Sequence, residues 1–334
     1  MNKLSKLGSL SLRYAISPYL QEKMLYLGQN EVFTQASETF QSLLQLEISA
    51  SQISRLCHHY GSLDSINLIV ETAHPSQDTD KDSVLYVQAD GSNIHTDDGW
   101  KEVKLGRIFS EADVKTQKTV NQGVGVRKTI EKSDYLAHKG NNKEFIDKFE
   151  RLLDERIAQG HKEVVFITDG ETWMENWLNQ NYSEYPRVLD FYHAVKPLKA
   201  FADKTINCTQ EREKWIDLQK ELLLESQTDI ILQNLEKFSK ISDAALDTKK
   251  SIKTYFYNNS HRMDYKLYRE NGWCIGSGAV ESAHIVVIQK RMKLCGQRWG
   301  YSAQPMLNLR TIHNSKKWNE IINTINLHSF NIAA

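Results

Sequence analysis

The sequence predicts an α/β fold: a mixed sheet with helices on both faces, a small helical region before it and an all-helical insertion within it. Three observations support this fold class. Short apolar runs between about residues 84 and 137 alternate with turn signals, as expected for early strands that pair antiparallel. A strand, a helix and a strand then follow as a βαβ pattern. The stretch from residue 196 to about 270 has only helical periodicity. It lies within a longer range, between Gly170 and Gly272, that contains no glycine.

Composition and charge narrow the class of protein without identifying it. The 334 residues allow two domains, or one large domain with an insertion, and 40% hydrophobic with 25% charged residues is typical of a globular chain. No apolar run is as long as a membrane span, and the first residues lack the core of a signal peptide, so we expect a cytoplasmic protein with no membrane partner. The four scattered cysteines argue against a zinc knuckle or a disulfide framework. Because the formal net charge is zero, the overall charge gives no sign of a nucleic-acid partner, and only local clusters of charge can indicate one.

Residues 1–75 have helical periodicity, and the later part of this region looks like the second half of a helix-turn-helix. A serine near residue 50 can cap a helix whose apolar residues face inward. Gln52 and Arg55 would then point outward, where DNA can lie. An ordinary helical hairpin explains the same pattern equally well. We therefore interpret residues 1–75 as a helical, helix-turn-helix-like candidate for DNA binding.

Residues 75–82 are polar, and we interpret them as a linker. Residues 84–90 form an apolar run that predicts a strand ending in the pair Asp90-Gly91. Asp98-Gly99 is a turn signal, after which residues 101–109 alternate as a half-buried strand. A third strand is predicted near residues 134–137.

A helix over residues 144–158, with phenylalanines and leucines on one face, begins the predicted βαβ pattern. Residues 163–168 form a buried strand that again ends in an Asp-Gly pair, Asp169-Gly170. A helix starting near Trp173 and a strand at residues 187–192 complete the pattern. The chain order therefore brings the ends of two strands, each followed by aspartate and glycine, to one edge of the sheet.

Three carboxylates are candidates for a shared site. Asp90 and Asp169 follow apolar runs, and Glu281 lies in the first turn of a helix that begins after the glycine-rich turn Gly276-Ser277-Gly278. Acids brought together repel one another unless a cation lies between them, and oxygen ligands suit Mg²⁺ or Mn²⁺. Two such ions activate a nucleophilic oxygen and stabilise a leaving oxygen in phosphodiester chemistry. A plain turn explains either Asp-Gly pair alone, and capping by the helix dipole explains Glu281 alone.

A basic stretch follows Glu281. From Ile285 to Lys317 there is no acidic residue, and the cations that we predict to contact DNA phosphates are Lys290, Arg291, Lys293 and Arg298. Trp299 is a candidate for stacking on a displaced base, although burial in the core explains it as well.

Several stretches resemble the DDE-type transposases of bacterial insertion sequences, in particular the ISKra/ISLre-like group. They are Ala89-Asp90-Gly91-Ser92, residues 100–106, Ile167-Thr168-Asp169-Gly170, Leu189-Asp190-Phe191-Tyr192-His193 and residues 275–282, continued by Arg298-Trp299. The resemblance covers about residues 80–315. It implies a ribonuclease-H-like catalytic domain formed by residues 80–195 and 272–334, with a helical insertion at 196–271. By position, it makes Asp90, Asp169 and Glu281 the catalytic, metal-binding acids, and it places Asp190 and His193 near them as auxiliary residues.

The resemblance also implies a function. A member of this family uses two Mg²⁺ or Mn²⁺ ions to hydrolyse phosphodiesters at the ends of its element and to join the freed 3′-hydroxyl to other DNA. The expected partners are terminal inverted repeats, target DNA and further copies of the chain, in the bacterial cytoplasm near the nucleoid. The alternative is a transposase-derived DNA-binding protein that has lost catalysis. A glycosidase with paired carboxylates is disfavoured, because the third acid lies beside a basic stretch.

Overall fold

The computed structural model describes residues 16–75, 81–119 and 125–333, so the predicted linker lies mostly outside the described residues. In these ranges the strands are β1 (Val84–Thr96), β2 (Gly99–Ser110), β3 (Val114–Thr119), β4 (Gly125–Ile130), β5 (Asp134–Lys139), β6 (Glu163–Thr168) and β7 (Arg187–Leu189). Five of them form a sheet in the order β5-β2-β1-β6-β7, and β3 pairs with β4 in a separate hairpin. Strands β5, β2 and β1 are antiparallel, whereas β1, β6 and β7 are parallel. This mixed sheet is compatible with a ribonuclease-H-like fold.

Helices surround the sheet and account for most of the remaining described chain. Those before the sheet are α1 (Pro18–Asn30), α2 (Phe33–Leu44), α3 (Ala50–Gly61) and α4 (Asp64–Glu71), and those between strands are α5 (Asn142–Ala158) and α6 (Thr172–Asn181). After β7 come α7 (Phe191–Thr205), α8 (Thr209–Leu224), α9 (Thr228–Glu236), α10 (Asp243–Asn259) and α11 (Tyr265–Glu270). The last group is α12 (Gly278–Ala283), a π-helical segment (His284–Gln289), α13 (Lys290–Met292), α14 (Ala303–Asn314) and α15 (Trp318–Ala333). No helix within the described ranges has the length and apolarity needed to cross a bilayer.

The sheet is covered on both faces because its central strand alternates between two cores. On β1, Leu85 and Val87 face a core that contains Phe149 of α5, whereas Tyr86 faces a second core that contains Leu198 of α7. Alternation is the expected result of the two-residue period of a strand. The prediction of helices on both faces is confirmed.

The N-terminal helices share the first of these cores with the last two helices of the chain. Polar contacts join the same elements: Asn308 Nδ2 donates to the Gly61 carbonyl oxygen at 2.9 Å, and Trp318 Nε1 donates to Glu22 Oε1 at 2.7 Å. Helices α1–α4 are therefore packed into the body of the protein beside α14 and α15.

The structure corrects two predicted strand ends and adds a hairpin. Strand β1 does not end at Asp90 but continues to Thr96, pairing with β2 over its whole length, while its pairing with β6 reaches only Gln88. Strand β7 ends at Leu189 instead of residue 192, because Asp190 caps helix α7. The β3–β4 hairpin was not predicted, since its polar sequence lacks the apolar alternation of a half-buried strand.

Gly106 of β2 leaves room for the helix that covers the sheet. A methyl group built on Gly106 would overlap the ring of Phe149, which is fully buried. We expect Gly106→Ala to lower the free energy of unfolding by about 1–3 kcal/mol, the usual cost of overpacking a core, as measured by urea denaturation. Gly278→Ala is the control, because the added methyl group would meet open space. If both variants unfold at the same urea concentration, this packing account is wrong.

The buried carboxylate of Asp134 should make the folded protein less stable in acid. Its carboxylate is 2% exposed, with His74 Nδ1 at 2.7 Å and Lys317 Nζ at 2.8 Å. Burial alone would raise the pKa of Asp134, but the hydrogen bonds from His74 and the charge of Lys317 lower it to about 2. Because the folded pKa lies below the unfolded value, the stabilisation is complete above about pH 4 and is lost as the pH falls towards 2.

The expected loss is about 2 kcal/mol over this window, since each pKa unit corresponds to about 1.4 kcal/mol. Urea unfolding between pH 5 and pH 2 measures it for the natural chain and for Asp134→Asn. The variant should lack this part of the pH dependence, and equal pH slopes for the two proteins would contradict the prediction.

Candidate active site

Asp90 on β1 and Asp169, directly after the parallel strand β6, lie near each other. The register of β1 and β6 pairs Gln88 with Ile167, and each aspartate follows its paired residue by two positions. Both side chains are half-buried. Burial raises the pKa of Asp90 and of Asp169 above the ordinary value, and the Asp90 charge raises that of Asp169 further. The pair is therefore an acidic site in which the negative charge of Asp90 disfavours ionisation of Asp169.

Glu281 lies in the first turn of α12, near the aspartate pair. Its charge contributes to the raised pKa of Asp90, and its Oε1 accepts a hydrogen bond from Ser277 Oγ at 3.2 Å. The Glu281 side chain is exposed. The structure thus brings the three predicted acids into one neighbourhood, with two carboxylates half-buried in the sheet edge and the third on the surface beside them.

Two side chains that were not predicted from the sequence hold the glycine-rich turn before Glu281 against the sheet through hydrogen bonds. Gln88 of β1 is fully buried, and its amide donates to the Gly276 carbonyl oxygen at 3.3 Å and accepts from Val280 N at 2.8 Å. Arg107 of β2, 4% exposed, donates to the Ala279 carbonyl oxygen and to Ser282 Oγ. These contacts hold the start of α12 over β1 and β2.

Asp190 and His193 join the same turn to helix α7. Asp190 is fully buried, and its carboxylate accepts hydrogen bonds from the backbone N–H groups of His193 and Ser277. Burial raises the pKa of Asp190, but the hydrogen bonds from His193 and Ser277 outweigh it and leave the pKa below its ordinary value. His193 Nδ1 lies 3.4 Å from Asp190 Oδ1, which raises the pKa of His193, and the Asp169 charge adds to this effect.

His284 is a further residue beside the acids that the sequence did not reveal. The ring is 4% exposed, and its Nε2 lies 3.5 Å from Asp90 Oδ2. Among the described residues, neither ring nitrogen has a hydrogen-bond partner. Burial lowers the pKa of His284 to about 4, so the ring is neutral at pH 7. A lone histidine in an apolar stretch gives no signal of this contact in the sequence.

Two of the predicted DNA contacts are wrong. Arg291 is 1% exposed, and its guanidinium lies over the rings of Phe33 and Trp299 and donates to the Gly28 carbonyl oxygen at 3.1 Å. Trp299 is 5% exposed, and its Nε1 donates to the Met292 carbonyl oxygen at 3.1 Å. Both side chains are part of the core and cannot contact DNA in this conformation.

The other predicted DNA contacts remain at or near the surface. Lys290, Lys293 and Arg298 are exposed, and Lys293 donates to Ser92 Oγ beside the aspartate pair. Arg55 is exposed on α3. The Gln52 side chain is half-buried and accepts a hydrogen bond from Ser49 N at 2.8 Å, as part of the capping box that begins α3.

A divalent cation fits the donor chemistry of the aspartate pair. Carboxylate oxygens are the ligands that Mg²⁺ and Mn²⁺ prefer, and a cation would relieve the repulsion that raises the pKa of Asp169. Within the described part of the chain, no three histidine, cysteine, aspartate or glutamate side chains are grouped closely enough to hold a metal ion. The donor chemistry of Asp90 and Asp169 therefore suits a divalent cation, while the described side chains do not form a set of three ligands around one.

Comparison with models of protein families gave no match, and comparison with curated proteins gave none either. Among solved structures, the chain is similar to the Drosophila P element transposase strand transfer complex. The TM-score is 0.35 and the sequence identity 10%, and the similarity covers 91% of this chain and 80% of that chain. A similarity this weak does not identify the class of protein, which depends instead on the residues of the site.

Proposed function

We propose that the protein is a DDE-type DNA transposase that hydrolyses phosphodiesters at the ends of an insertion sequence and transfers the freed 3′-hydroxyl to target DNA. One observation carries the proposal: Asp90 and Asp169 oppose each other at the sheet edge, and Glu281 lies beside them on a helix fastened to the same strands. Repelling carboxylates are costly unless they bind a cation or share a proton. A site for divalent cations acting on a phosphodiester accounts for this arrangement.

In this proposal Asp90, Asp169 and Glu281 hold Mg²⁺ or Mn²⁺. Two such ions, when bound, supply an activated oxygen nucleophile and stabilise the leaving oxygen of the phosphodiester. Asp190 positions the turn that carries Glu281, and Gln88 fixes the same turn to β1. His193 lies near both aspartates, and its raised pKa favours a positive charge that offsets theirs.

The cations around the acids fit a polyanionic substrate. Lys293 is exposed and reaches Ser92, and Lys290 and Arg298 are exposed on the same basic stretch. Phosphate contacts by lysine and arginine supply most of the sequence-independent affinity for DNA. We propose that these three side chains bind the DNA backbone on the side of the site formed by the Glu281 helix, and that Arg55 contributes from α3.

A nicking assay tests this function. The substrate is a labelled DNA duplex that carries the sequences flanking the gene, and the protein is supplied with Mg²⁺, Mn²⁺ or EDTA. We expect cleavage that leaves a 3′-hydroxyl with either metal, followed by joining to a second DNA, and neither reaction in EDTA. Cleavage that persists in EDTA would overturn the metal-dependent mechanism.

A second candidate is a transposase-derived DNA-binding protein without catalysis. The observation that favours it is that Glu281 lies outside any group of three metal-binding side chains in the described residues. The same assay separates the two functions, because tight binding of the flanking DNA without cleavage in either metal supports the second candidate.

A further inference from the structure

A cavity of about 880 Å³ opens beside the glycine-rich turn. Its volume is in the range of about 300–1,000 Å³ that is usual for small-molecule sites. Four aromatic side chains contribute to its wall: Phe109, Tyr135, Tyr192 and Trp273. The polar groups of the wall include Arg107, Gln88 and Ser282. Phe109 and Tyr135 are buried, with the Arg107 guanidinium over both rings, so Tyr192 and the half-buried Trp273 supply the open aromatic surface of the cavity.

Tyr192 is the exposed aromatic residue of this wall. It follows Asp190 by two positions in the first turn of α7, and 65% of its surface is exposed. Its ring lies against the glycine-rich turn, since a methyl group built on Gly276 would come within 3.2 Å of Tyr192 Cε2. Trp273, three residues before Gly276, is half-buried and stacked on Tyr268 with ring centroids 5.7 Å apart. Tyr192 thus presents an open aromatic face that no core packing requires.

The cavity and the acids are built from the same segments of the chain. Gln88 lines the cavity and precedes Asp90 by two residues on β1, and Ala279 lines it and precedes Glu281 by two residues in α12. Tyr192 lies directly before His193, which is near both aspartates. The same three segments, the middle of β1 and the starts of α7 and α12, therefore carry both the cavity wall and the residues around the acids.

A second cleft, beside Asp169, has a different chemistry. This cleft, of about 680 Å³, begins at Gly170, directly after Asp169, and is lined by polar side chains that include the exposed cation Lys250 and the exposed His261. A nucleic-acid strand bound at the acids would have polar side chains and the cation Lys250 available in this cleft, and aromatic side chains available in the cavity. That division matches the two halves of a nucleotide, because phosphates bind cations whereas bases stack on aromatic rings.

We propose that the cavity receives one unpaired base of the DNA strand on which the acids act, stacked against Tyr192. This inference rests on the proposed function and adds a base-binding subsite to it. Stacking of a base on an aromatic ring contributes about 1–3 kcal/mol and tolerates every base. The cavity therefore favours DNA that is unpaired beside the cleaved phosphate over DNA that is fully paired there.

A binding experiment without metal tests the subsite. The probe is a DNA duplex with a single-stranded extension that contains 2-aminopurine, titrated in EDTA so that cleavage does not interfere. We expect the fluorescence of 2-aminopurine to change on binding to the natural chain. Tyr192→Ala should weaken binding by about 5- to 150-fold, the equivalent of one stacked base. Tyr192→Phe should bind like the natural chain, because stacking does not require the hydroxyl group.

Two controls make the result specific. Tyr257→Ala removes a tyrosine that is 81% exposed on α10 and does not line the cavity, so it should leave binding unchanged. Replacing the unpaired base with an abasic site should weaken binding by the natural chain and have no further effect on Tyr192→Ala, as expected for two partners in one contact. Equal binding by Tyr192→Ala and Tyr257→Ala would overturn the subsite, as would a free nucleoside that binds as tightly as the strand.

The outcomes for the subsite and for the proposed function are separable. If the natural chain cleaves DNA with metal but shows no dependence on Tyr192 or on the unpaired base, the subsite is wrong and the function stands. If binding depends on both but no metal supports cleavage, the proposed catalysis is wrong, and the cavity is a base-binding site of a DNA-binding protein.

Discussion

Asp90→Asn is expected to reduce metal-dependent DNA cleavage by at least about 1,000-fold. Asparagine has the shape of aspartate but lacks the charge that would hold a divalent cation against Asp169. Loss of metal-assisted stabilisation of several kcal/mol corresponds to about three powers of ten in rate. Single-turnover cleavage of the flanking-DNA duplex in saturating Mn²⁺ measures the effect, and circular dichroism checks that the fold is retained.

Metal binding gives a second measure that does not depend on activity. An ion at 100 times its dissociation constant stabilises the protein that binds it by about 2.7 kcal/mol, so Mn²⁺ should raise the melting temperature of the natural chain and have little effect on Asp90→Asn. Asp98→Asn is the matched control. Asp98 is an exposed residue in the turn of the same hairpin, and Asn-Gly is as favourable in such a turn as Asp-Gly. Cleavage by Asp90→Asn at the rate of Asp98→Asn would contradict the assignment of Asp90.

Arg310→Met is expected to be among the most destabilising single substitutions outside the site. Arg310 is 3% exposed, and its guanidinium donates to the carbonyl oxygens of Val286 and Val287 in the π-helical segment and of Gln29 at the end of α1. Methionine fills similar space but leaves three buried acceptors without this donor. At about 1–3 kcal/mol for each unsatisfied group, we expect a loss of about 3 kcal/mol or more in the free energy of unfolding.

Urea denaturation measures this loss, and Arg298→Met is the control because Arg298 is exposed on the same part of the chain. Arg310→Lys should also be destabilising, since one ammonium group cannot reach three carbonyl oxygens with the geometry of a guanidinium. If Arg310→Met and Arg298→Met have equal stability, the guanidinium does not link α1 to the π-helical segment.

The parts of the fold that local patterns determine were predicted from the sequence. Apolar alternation predicted the strand that became β2, a continuous apolar run predicted β6, a third strand was predicted where β5 lies, and helical periodicity predicted α5. The end of β1 was missed because the residues after Asp90 are polar, yet they still pair with β2 through the backbone. Pairing of this kind depends on the hairpin turn and the partner strand, so the pattern of side chains does not predict it.

The hydrogen bonds that surround the proposed acids were not predicted, for a related reason. Asp90, Asp169 and Glu281 have recognisable neighbours in the sequence, whereas Gln88 and Arg107 act through hydrogen bonds to backbone groups far along the chain. Arg291 was misjudged because it was chosen for its charge within the basic stretch, and charge alone does not reveal that its guanidinium lies buried over the rings of Phe33 and Trp299.

The hydrogen bonds that hold the Glu281 turn against β1 and β2 join residues that are synthesised at very different times. A ribosome releases Gln88 and Arg107 long before the turn that they bind, and α1 long before Arg310. Domains made during translation fold as units once their last element has emerged. We therefore expect a nascent or prematurely terminated chain that ends before Glu281 to have an incomplete acid site. Any cleavage of DNA by the mechanism proposed here would begin only when synthesis has passed that residue.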